Sequence, residues 1–239
     1  MSKLASTVSA ILVLACASVA SAQAGESSIS GTVKFEGTAK KPKKINSQLD
    51  GDKFCGPQRG GQDVLNEDLI VGAENALANV LVYVKKGASG KYEAPKNVVE
   101  IDQKGCVYRP HVVVVQVGQT LQIKNSDDTM HNIHSQPALN KEFNEGQGKA
   151  GMTSDKVFTV PEIGIKVKCD VHLWMNAWLH VVENPFYKVT GTDGKFSITG
   201  LPKGTYEIEA WHEKLGKKSV EVTVGDKEAK TQDFSLKAE

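Results

Sequence analysis

Residues 194–211 of this 239-residue chain have the sequence GKFSITGLPKGTYEIEAW. Apolar and polar side chains alternate along GKFSITG and again along GTYEIEAW, and the turn residues Pro202 and Gly204 lie between the two runs. Such alternation is typical of paired β-strands that bury one face. The same pattern recurs in ISGTVKF (29–35) and SVEVTV (219–224), so it predicts strands near both ends of the chain.

The middle of the chain is also predicted to be β-structure. VLVYV (80–84) is apolar on both faces, as in a strand at the centre of a sheet. HVVVVQVGQTLQIKN (111–125) and IKVKC (165–169) are further strand-like runs, whereas a helix is expected over part of residues 138–150. The predicted fold class is therefore all-β, with two β-sandwich domains.

The first residues have the features of a secretory signal peptide. Lys3 precedes an apolar run, and small residues follow up to Ala24, where we place the end of the signal, residues 1–24. The mature protein is then expected to be periplasmic or secreted. A lipoprotein with Cys16 as the lipidated residue is the alternative. No later apolar run is long enough to span a bilayer.

Charge and motif content exclude several classes of function. The formal net charge of +1 falls to about zero when Lys3 is removed with the signal, so no nucleic-acid partner is indicated. The sequence contains no G-x-S-x-G, no H-E-x-x-H and no phosphate-binding glycine loop. We therefore expect a protein that is not an enzyme.

A loop rich in metal-binding side chains follows IKVKC. In CDVHLWM (169–175) the cysteine, histidine and methionine are spaced three residues apart, at Cys169, His172 and Met175. Alternate residues of a strand point to the same face, so Cys169 shares a face with Ile165. This predicts a thiol that points inward at the end of the strand. Taken singly, each residue has an ordinary alternative: core filler for the methionine, a hydrogen-bonded surface residue for the histidine, and a buried thiol or disulfide partner for the cysteine.

His131, in the upstream segment MHNIH, completes a set that suits copper. Two imidazoles and a thiolate in one plane, with a distant thioether, serve both copper oxidation states with little rearrangement. Zinc prefers a closed tetrahedron of strong ligands, for which methionine is a poor fourth member. Taken as one set, His131, Cys169, His172 and Met175 therefore suit copper better than zinc.

Both ends of the chain resemble one small domain family. YKVTGTDGKFSITGLPKGTYEIEAWHEKLG (187–216) is similar to carboxypeptidase regulatory-like domains, which are transthyretin-like β-sandwiches. The strands that open that fold lie far upstream, which implies a sandwich split by an inserted domain. The resemblance implies that residues 25–97 form the first half of this split sandwich and that residues 184–239 form its second half. Residues 98–183 would then be the inserted domain.

The insert resembles the cupredoxins, such as amicyanin and plastocyanin. YRPHVVVVQVGQTLQIKN (108–125), MHNIH and CDVHLWM match the opening strands and the two ligand segments of that Greek-key fold. The resemblance implies that His131, Cys169, His172 and Met175 are the ligands of one type 1 copper ion. It further implies an exported blue-copper protein that carries single electrons to and from a redox protein partner. It also implies that Asn132 ties the two ligand segments together. We expect electrons to pass through the solvent edge of His172, with Met130, Leu173 and Trp174 as an apolar docking patch.

Three cysteines remain after signal cleavage, which is an odd number for an exported protein. If Cys169 binds copper, Cys55 and Cys106 are left as a pair, and a disulfide between them is expected. The alternative is a second metal site formed by these two cysteines and His111. Two other functions stay open: periplasmic copper handling with the same ligands, and a metal-free β-sandwich scaffold or adhesion module.

Overall fold

The computed structural model describes residues 27–238, so the predicted signal peptide and Cys16 lie outside the described residues. The described chain forms seventeen strands, two short α-helices and one 3₁₀ turn. The first part holds β1 (Ser27–Phe35), α1 (Asn46–Asp50), α2 (Cys55–Gln58), the 3₁₀ turn (Ala73–Asn75) and β2 (Leu81–Lys86). The middle part holds β3 (Val99–Gln103), β4 (Tyr108–Arg109), β5 (Val112–Gln116), β6 (Thr120–Asn125), β7 (His131–Gln136), β8 (Phe143–Gln147), β9 (Thr153–Val157), β10 (Glu162–Lys168) and β11 (Asn176–Val182). The last part holds β12 (Tyr187–Val189), β13 (Lys195–Leu201), β14 (Gly204–His212), β15 (Gly216–Val224), β16 (Ala229–Thr231) and β17 (Phe234–Leu236).

Both ends of the chain build one sandwich, which we call the terminal sandwich. One sheet has the order β13–β1–β16, with β17 also paired to β1, and the other has the order β12–β2–β14–β15. Ile29 and Val33 from the first sheet share a buried apolar core with Val82 and Ile208 from the second. Burial alternates along β13 as its sequence pattern predicts, with Phe196 buried between two exposed neighbours.

The middle of the chain builds a second sandwich, the central sandwich. Its sheets have the orders β5–β11–β10–β7–β8 and β4–β3–β6–β9. Ile101 and Ile123 from one sheet pack in a common core with Val113, Ile133 and Leu179 from the other. The all-β fold class is confirmed, but the helix expected within residues 138–150 is wrong. That stretch holds β8, whose backbone pairs antiparallel with β7 and whose side chains alternate in burial.

The segment 45–64 packs on the central sandwich, although it lies in the range 25–97 that the sequence assigns to the split domain. Leu49 and Cys55 from this segment are buried in the core of the central sandwich. The predicted disulfide is confirmed, since Cys55 is bonded to Cys106 in the turn between β3 and β4. A covalent link between two irregular segments therefore holds 45–64 against the end of the central sandwich.

Aromatic side chains join the two sandwiches. The rings of Trp178 on β11 and Trp211 on β14 lie 5.2 Å apart, and the buried ring of His180 lies 4.6 Å from Trp211. Leu81 from the terminal sandwich and Val114 from the central one share a further small apolar cluster. Within residues 27–238, no helix is long and apolar enough to cross a membrane.

Candidate metal centre

The ends of three neighbouring strands bring the predicted ligands to one edge of the central sandwich. His131 is the first residue of β7, Cys169 directly follows β10, and Met175 directly precedes β11. These strands are adjacent, because β10 pairs with β7 on one side and with β11 on the other. His172 lies in the loop between β10 and β11. The Cys169 N–H donates to the Met175 carbonyl at 3.1 Å, and the Met175 N–H donates to the His172 carbonyl at 2.9 Å. The loop is thus held as a compact turn.

Three of the predicted ligand atoms converge. The Nδ1 atoms of His131 and His172 lie 2.9 Å apart, and the sulfur of Cys169 lies 4.0 Å from the Nδ1 of His172. One donor atom from each of these residues lies within 4.8 Å of the donor atoms of the other two. All three side chains are buried, and so is Met175, which packs in the same apolar core. The structure therefore brings three of the predicted ligands together, and Met175 is buried in the same core.

The far side of each imidazole faces a carboxylate. His131 Nε2 lies 2.9 Å from an oxygen of Asp127, and His172 Nε2 lies 3.5 Å from an oxygen of Asp52. An ionised carboxylate can only accept a hydrogen bond, so each contact favours a hydrogen on the Nε2 of its ring. Both Nδ1 lone pairs then point toward each other and toward the cysteine sulfur.

This donor set fits a bound cation. Two nitrogen lone pairs that face each other at 2.9 Å repel unless a proton or a metal ion lies between them. Two neutral imidazoles and one thiolate are the ligands that copper and zinc prefer, and the accompanying thioether favours copper. Residues His131, Cys169 and His172 would hold the ion, and Met175 is the candidate for the weak axial ligand.

Hydrogen bonds favour the charged form of the cysteine. Burial alone raises the pKa of the Cys169 thiol, but hydrogen bonds from His131 and from backbone N–H groups, including that of His172, lower it further than burial raises it. The His172 N–H reaches the sulfur at 3.2 Å. The pKa of His131 is raised because its contacts with Asp127 and Cys169 outweigh burial. Burial, reinforced by the charge of His131, lowers the pKa of His172. Without a metal ion, the pocket thus favours a thiolate, a proton held by His131 and a neutral His172, and a bound cation would replace that proton.

Asn132 connects β7 to the ligand loop. Its buried side-chain oxygen accepts hydrogen bonds from the backbone N–H groups of Asp170, at 2.6 Å, and Val171, at 3.3 Å. The same oxygen lies 3.2 Å from the sulfur of Cys169, and the amide nitrogen donates to Asn144 at 2.7 Å. One side chain therefore determines both the start of the loop and its distance from His131 on the neighbouring strand.

Replacing Asn132 with alanine is expected to lower the free energy of unfolding by about 1–2 kcal/mol, because two loop N–H groups lose their acceptor. Urea denaturation of the metal-free protein measures this loss. Asn144→Ala is the matched control, since it removes an exposed partner amide but no acceptor of the loop; we expect a change within about 0.5 kcal/mol. Equal losses in the two variants would show that Asn132 does not hold the loop.

The three residues of the predicted docking patch differ in exposure. Leu173 is 82% exposed and Met130 is 45% exposed, but Trp174 is only partly exposed. The Trp174 ring lies 5.0 Å from that of His172, and its indole N–H donates to the carbonyl of Cys106 at 3.0 Å. Its ring thus covers the imidazole, whereas Leu173 and Met130 offer the apolar surface.

The expectation that His172 presents a solvent-exposed edge is wrong. The residue is only 4% exposed, because the turn between α1 and α2 lies over its imidazole and directs Asp52 at its Nε2. We call residues 46–58 the cap. The Cys55–Cys106 disulfide anchors this cap beside the site. His111, weighed as a ligand of a second site with these two cysteines, instead pairs with Glu213.

Asp52 and Asp127 are site residues that the sequence did not reveal. Asp127 carries the signal of a turn-capping acid, and it does accept hydrogen bonds from the N–H groups of Gly105 and Cys106. Its contact with His131 requires the fold. Asp52 precedes Cys55 by three residues and accepts its N–H, which is an ordinary turn contact of an aspartate. No local pattern places it against a histidine 120 residues away in the chain.

No protein-family model and no curated protein sequence matches the chain significantly. Several solved structures are similar to part of the chain. They include the Cu-containing nitrite reductase from Thermus scotoductus SA-01, with 20% identity, a TM-score of 0.34 and coverage of 41% of this chain. They also include the purple cupredoxin from Nitrosopumilus maritimus, with 24% identity, a TM-score of 0.30 and coverage of 35% of this chain.

A Cu(I) form of amicyanin is similar at 18% identity and a TM-score of 0.32, over 43% of this chain. The alignments span 98% of that amicyanin and 98% of the purple cupredoxin, but only 25% of the nitrite reductase. The similarity is partial and its TM-scores are low, so the functional argument depends on the residues of the site. The resemblance of the terminal sandwich to carboxypeptidase regulatory-like domains stays a prediction.

Proposed function

We propose that the protein is an exported copper protein that binds one copper ion through His131, Cys169, His172 and Met175 and carries single electrons. The observation that supports it most is the convergence of two imidazole Nδ1 atoms and one sulfur within 4.8 Å at a buried site. When bound, copper supplies the one-electron couple. The protein supplies a donor set suited to both oxidation states.

The surroundings of the site limit its rearrangement. Asn132 holds the start of the loop, the compact turn holds Met175, and the two carboxylates hold the rings of His131 and His172. Ligands fixed in this way change position little when the charge of the site changes, and low reorganisation is what electron transfer requires. The apolar packing around the site also excludes water, which strengthens these contacts.

The route to a redox partner is proposed to lie beside the cap. A cleft of about 330 Å³ between the two sandwiches reaches Cys169 and Met175, and Leu173 lies at its rim. Leu173 and Met130 provide the exposed apolar surface that a partner would cover, with Trp174 behind them. Lys166 and Lys168, which also line the cleft, would favour a partner with acidic groups at its edge.

Copper handling is the second candidate, and the buried position of His172 favours it. A ligand histidine under a cap suits a site that retains its ion until the cap moves, whereas an electron carrier benefits from an exposed ligand edge. In both cases the chain's own residues bind and orient the ion, and the difference lies in how fast electrons or the ion leave.

Voltammetry and metal exchange distinguish the two candidates. For a carrier, we expect protein loaded with one equivalent of copper to give a rapid, reversible one-electron wave. A slow or irreversible wave, together with tightly held Cu(I) that passes to bathocuproine only slowly, favours handling. Protein from its native source that contains far less than one equivalent of copper, with a normal fold, contradicts both candidates and favours a scaffold.

A further inference from the structure

Asp52 links one half of the disulfide to one ligand histidine. One of its carboxylate oxygens accepts the N–H groups of Phe54 and Cys55, each at 2.8 Å. The other oxygen faces His172 Nε2 at 3.5 Å.

Asp127 makes the equivalent link on the other half of the disulfide. One oxygen accepts the N–H of Gly105 at 2.9 Å, and the other accepts the N–H of Cys106 at 2.8 Å and faces His131 Nε2 at 2.9 Å. This side chain is only 1% exposed. The backbone N–H of each disulfide cysteine therefore binds the carboxylate that holds one ligand imidazole.

We propose that Asp52 and Asp127 are positioning residues for the two imidazoles, and that the Cys55–Cys106 disulfide fixes both carboxylates and thereby controls metal retention. This inference depends on the proposed copper site. The control is chemical: a dithiol reductant donates two electrons and two protons, the S–S bond breaks to give two thiols, and the dithiol becomes a disulfide. The cap then loses its covalent anchor and Asp52 moves with it.

The carboxylates act by selecting the ring tautomer. An acceptor at Nε2 keeps the hydrogen there and leaves the Nδ1 lone pair free to bind the ion. An asparagine in place of Asp52 still has an oxygen to accept from Cys55, but it turns an N–H donor toward His172 Nε2. The ring then moves its hydrogen to Nδ1 or rotates away. An Asp52 side chain that served only to accept the N–H of Cys55 would leave the tautomer of His172 unaffected by this change.

The first test compares Asp52→Asn with Asp50→Asn. Asp50 lies in the same cap and pairs with Arg59, and it has no contact with a histidine, so it is the matched control. Nitrogen-15 spectra of the metal-free protein report the tautomer of His172, and competition with a chelator reports the copper(II) dissociation rate. We expect D52N to shift His172 from the Nε2–H form and to release copper roughly 10–100-fold faster, with D50N unchanged.

The second test removes the disulfide with the double substitution C55S/C106S. We expect copper release to be accelerated at least as much as in D52N, because both carboxylates lose their anchor. If the double variant does not fold, D52N decides. An unchanged tautomer and an unchanged dissociation rate in D52N overturn the inference while the copper site stands. If the wild-type protein binds no copper, the proposed function and the control of metal retention both fail, and the tautomer shift in metal-free D52N alone decides whether Asp52 positions His172.

Discussion

Replacing Cys169 with serine is expected to abolish the intense thiolate-to-copper absorption band and to weaken copper(II) binding by roughly a thousandfold or more, about 4 kcal/mol. The sulfur is the softest and most basic donor of the site, and it lies 4.0 Å from the Nδ1 of His172. A serine hydroxyl stays protonated there and binds Cu(II) weakly. A visible titration and a competition with a chelator measure the two effects.

Met175→Leu is the matched control for that experiment. It removes the axial thioether from the same loop, keeps a side chain of similar volume in the core, and leaves the thiolate and both imidazoles in place. We expect the band to persist with a shifted maximum and the affinity to change by about tenfold or less. A band that survives in C169S, or that disappears only in M175L, contradicts the proposed ligand roles.

The free energy of unfolding is expected to fall steeply as the pH drops from 7 to 4.5. Burial lowers the pKa of His180 to about 3 and that of His212 to about 4, from an ordinary 6.5. Between these values and 6.5 the unfolded chain takes up protons that the folded chain does not, so stability is present above pH 6.5 and is lost as the pH falls. At pH 4.5 the loss is about 2–3 kcal/mol per histidine.

Glutamine substitutions test this prediction in the metal-free protein. The amide oxygen of glutamine can replace the ring nitrogen that accepts the N–H of Gly164 in the case of His180, and of Lys214 in the case of His212. Each substitution is expected to remove about half of the loss between pH 7 and 4.5, measured by urea denaturation at both values. In the control His134→Gln, the lost histidine has a raised pKa, mainly from its hydrogen bond with Glu142. Its contribution has the opposite sign, so the loss must not shrink.

The strands could be predicted because the alternation of apolar and polar residues is visible in the local sequence. Apolar residues such as Phe196 and Ile198 occur at every second position of β13, and this period alone predicts which face of the strand is buried. The ligand residues Cys169, His172 and Met175 were also accessible, since they lie in one short loop of unusual composition. The stretch that became β8 was mispredicted because its burial depends on pairing with β7, which the sequence does not display.

The cap could not be predicted, because its position depends on contacts distant in sequence. Residues 46–58 have no clear periodic pattern, and a disulfide to Cys106 and the burial of Leu49 place them. The pairing of the two cysteines was foreseen from their number, but its consequence was not. The cap buries His172 and brings Asp52 next to it. The sequence predicted an exposed edge for this histidine, whereas the structure covers it.

X-ray absorption of protein loaded with one equivalent of copper tests the central claim most directly. The proposed site predicts one short copper–sulfur distance and two copper–nitrogen distances with imidazole scattering, and it predicts that the sulfur contribution disappears in Cys169→Ser. A spectrum of nitrogen and oxygen scatterers alone, identical in the wild-type protein and in this variant, would contradict a copper centre built on His131, Cys169 and His172.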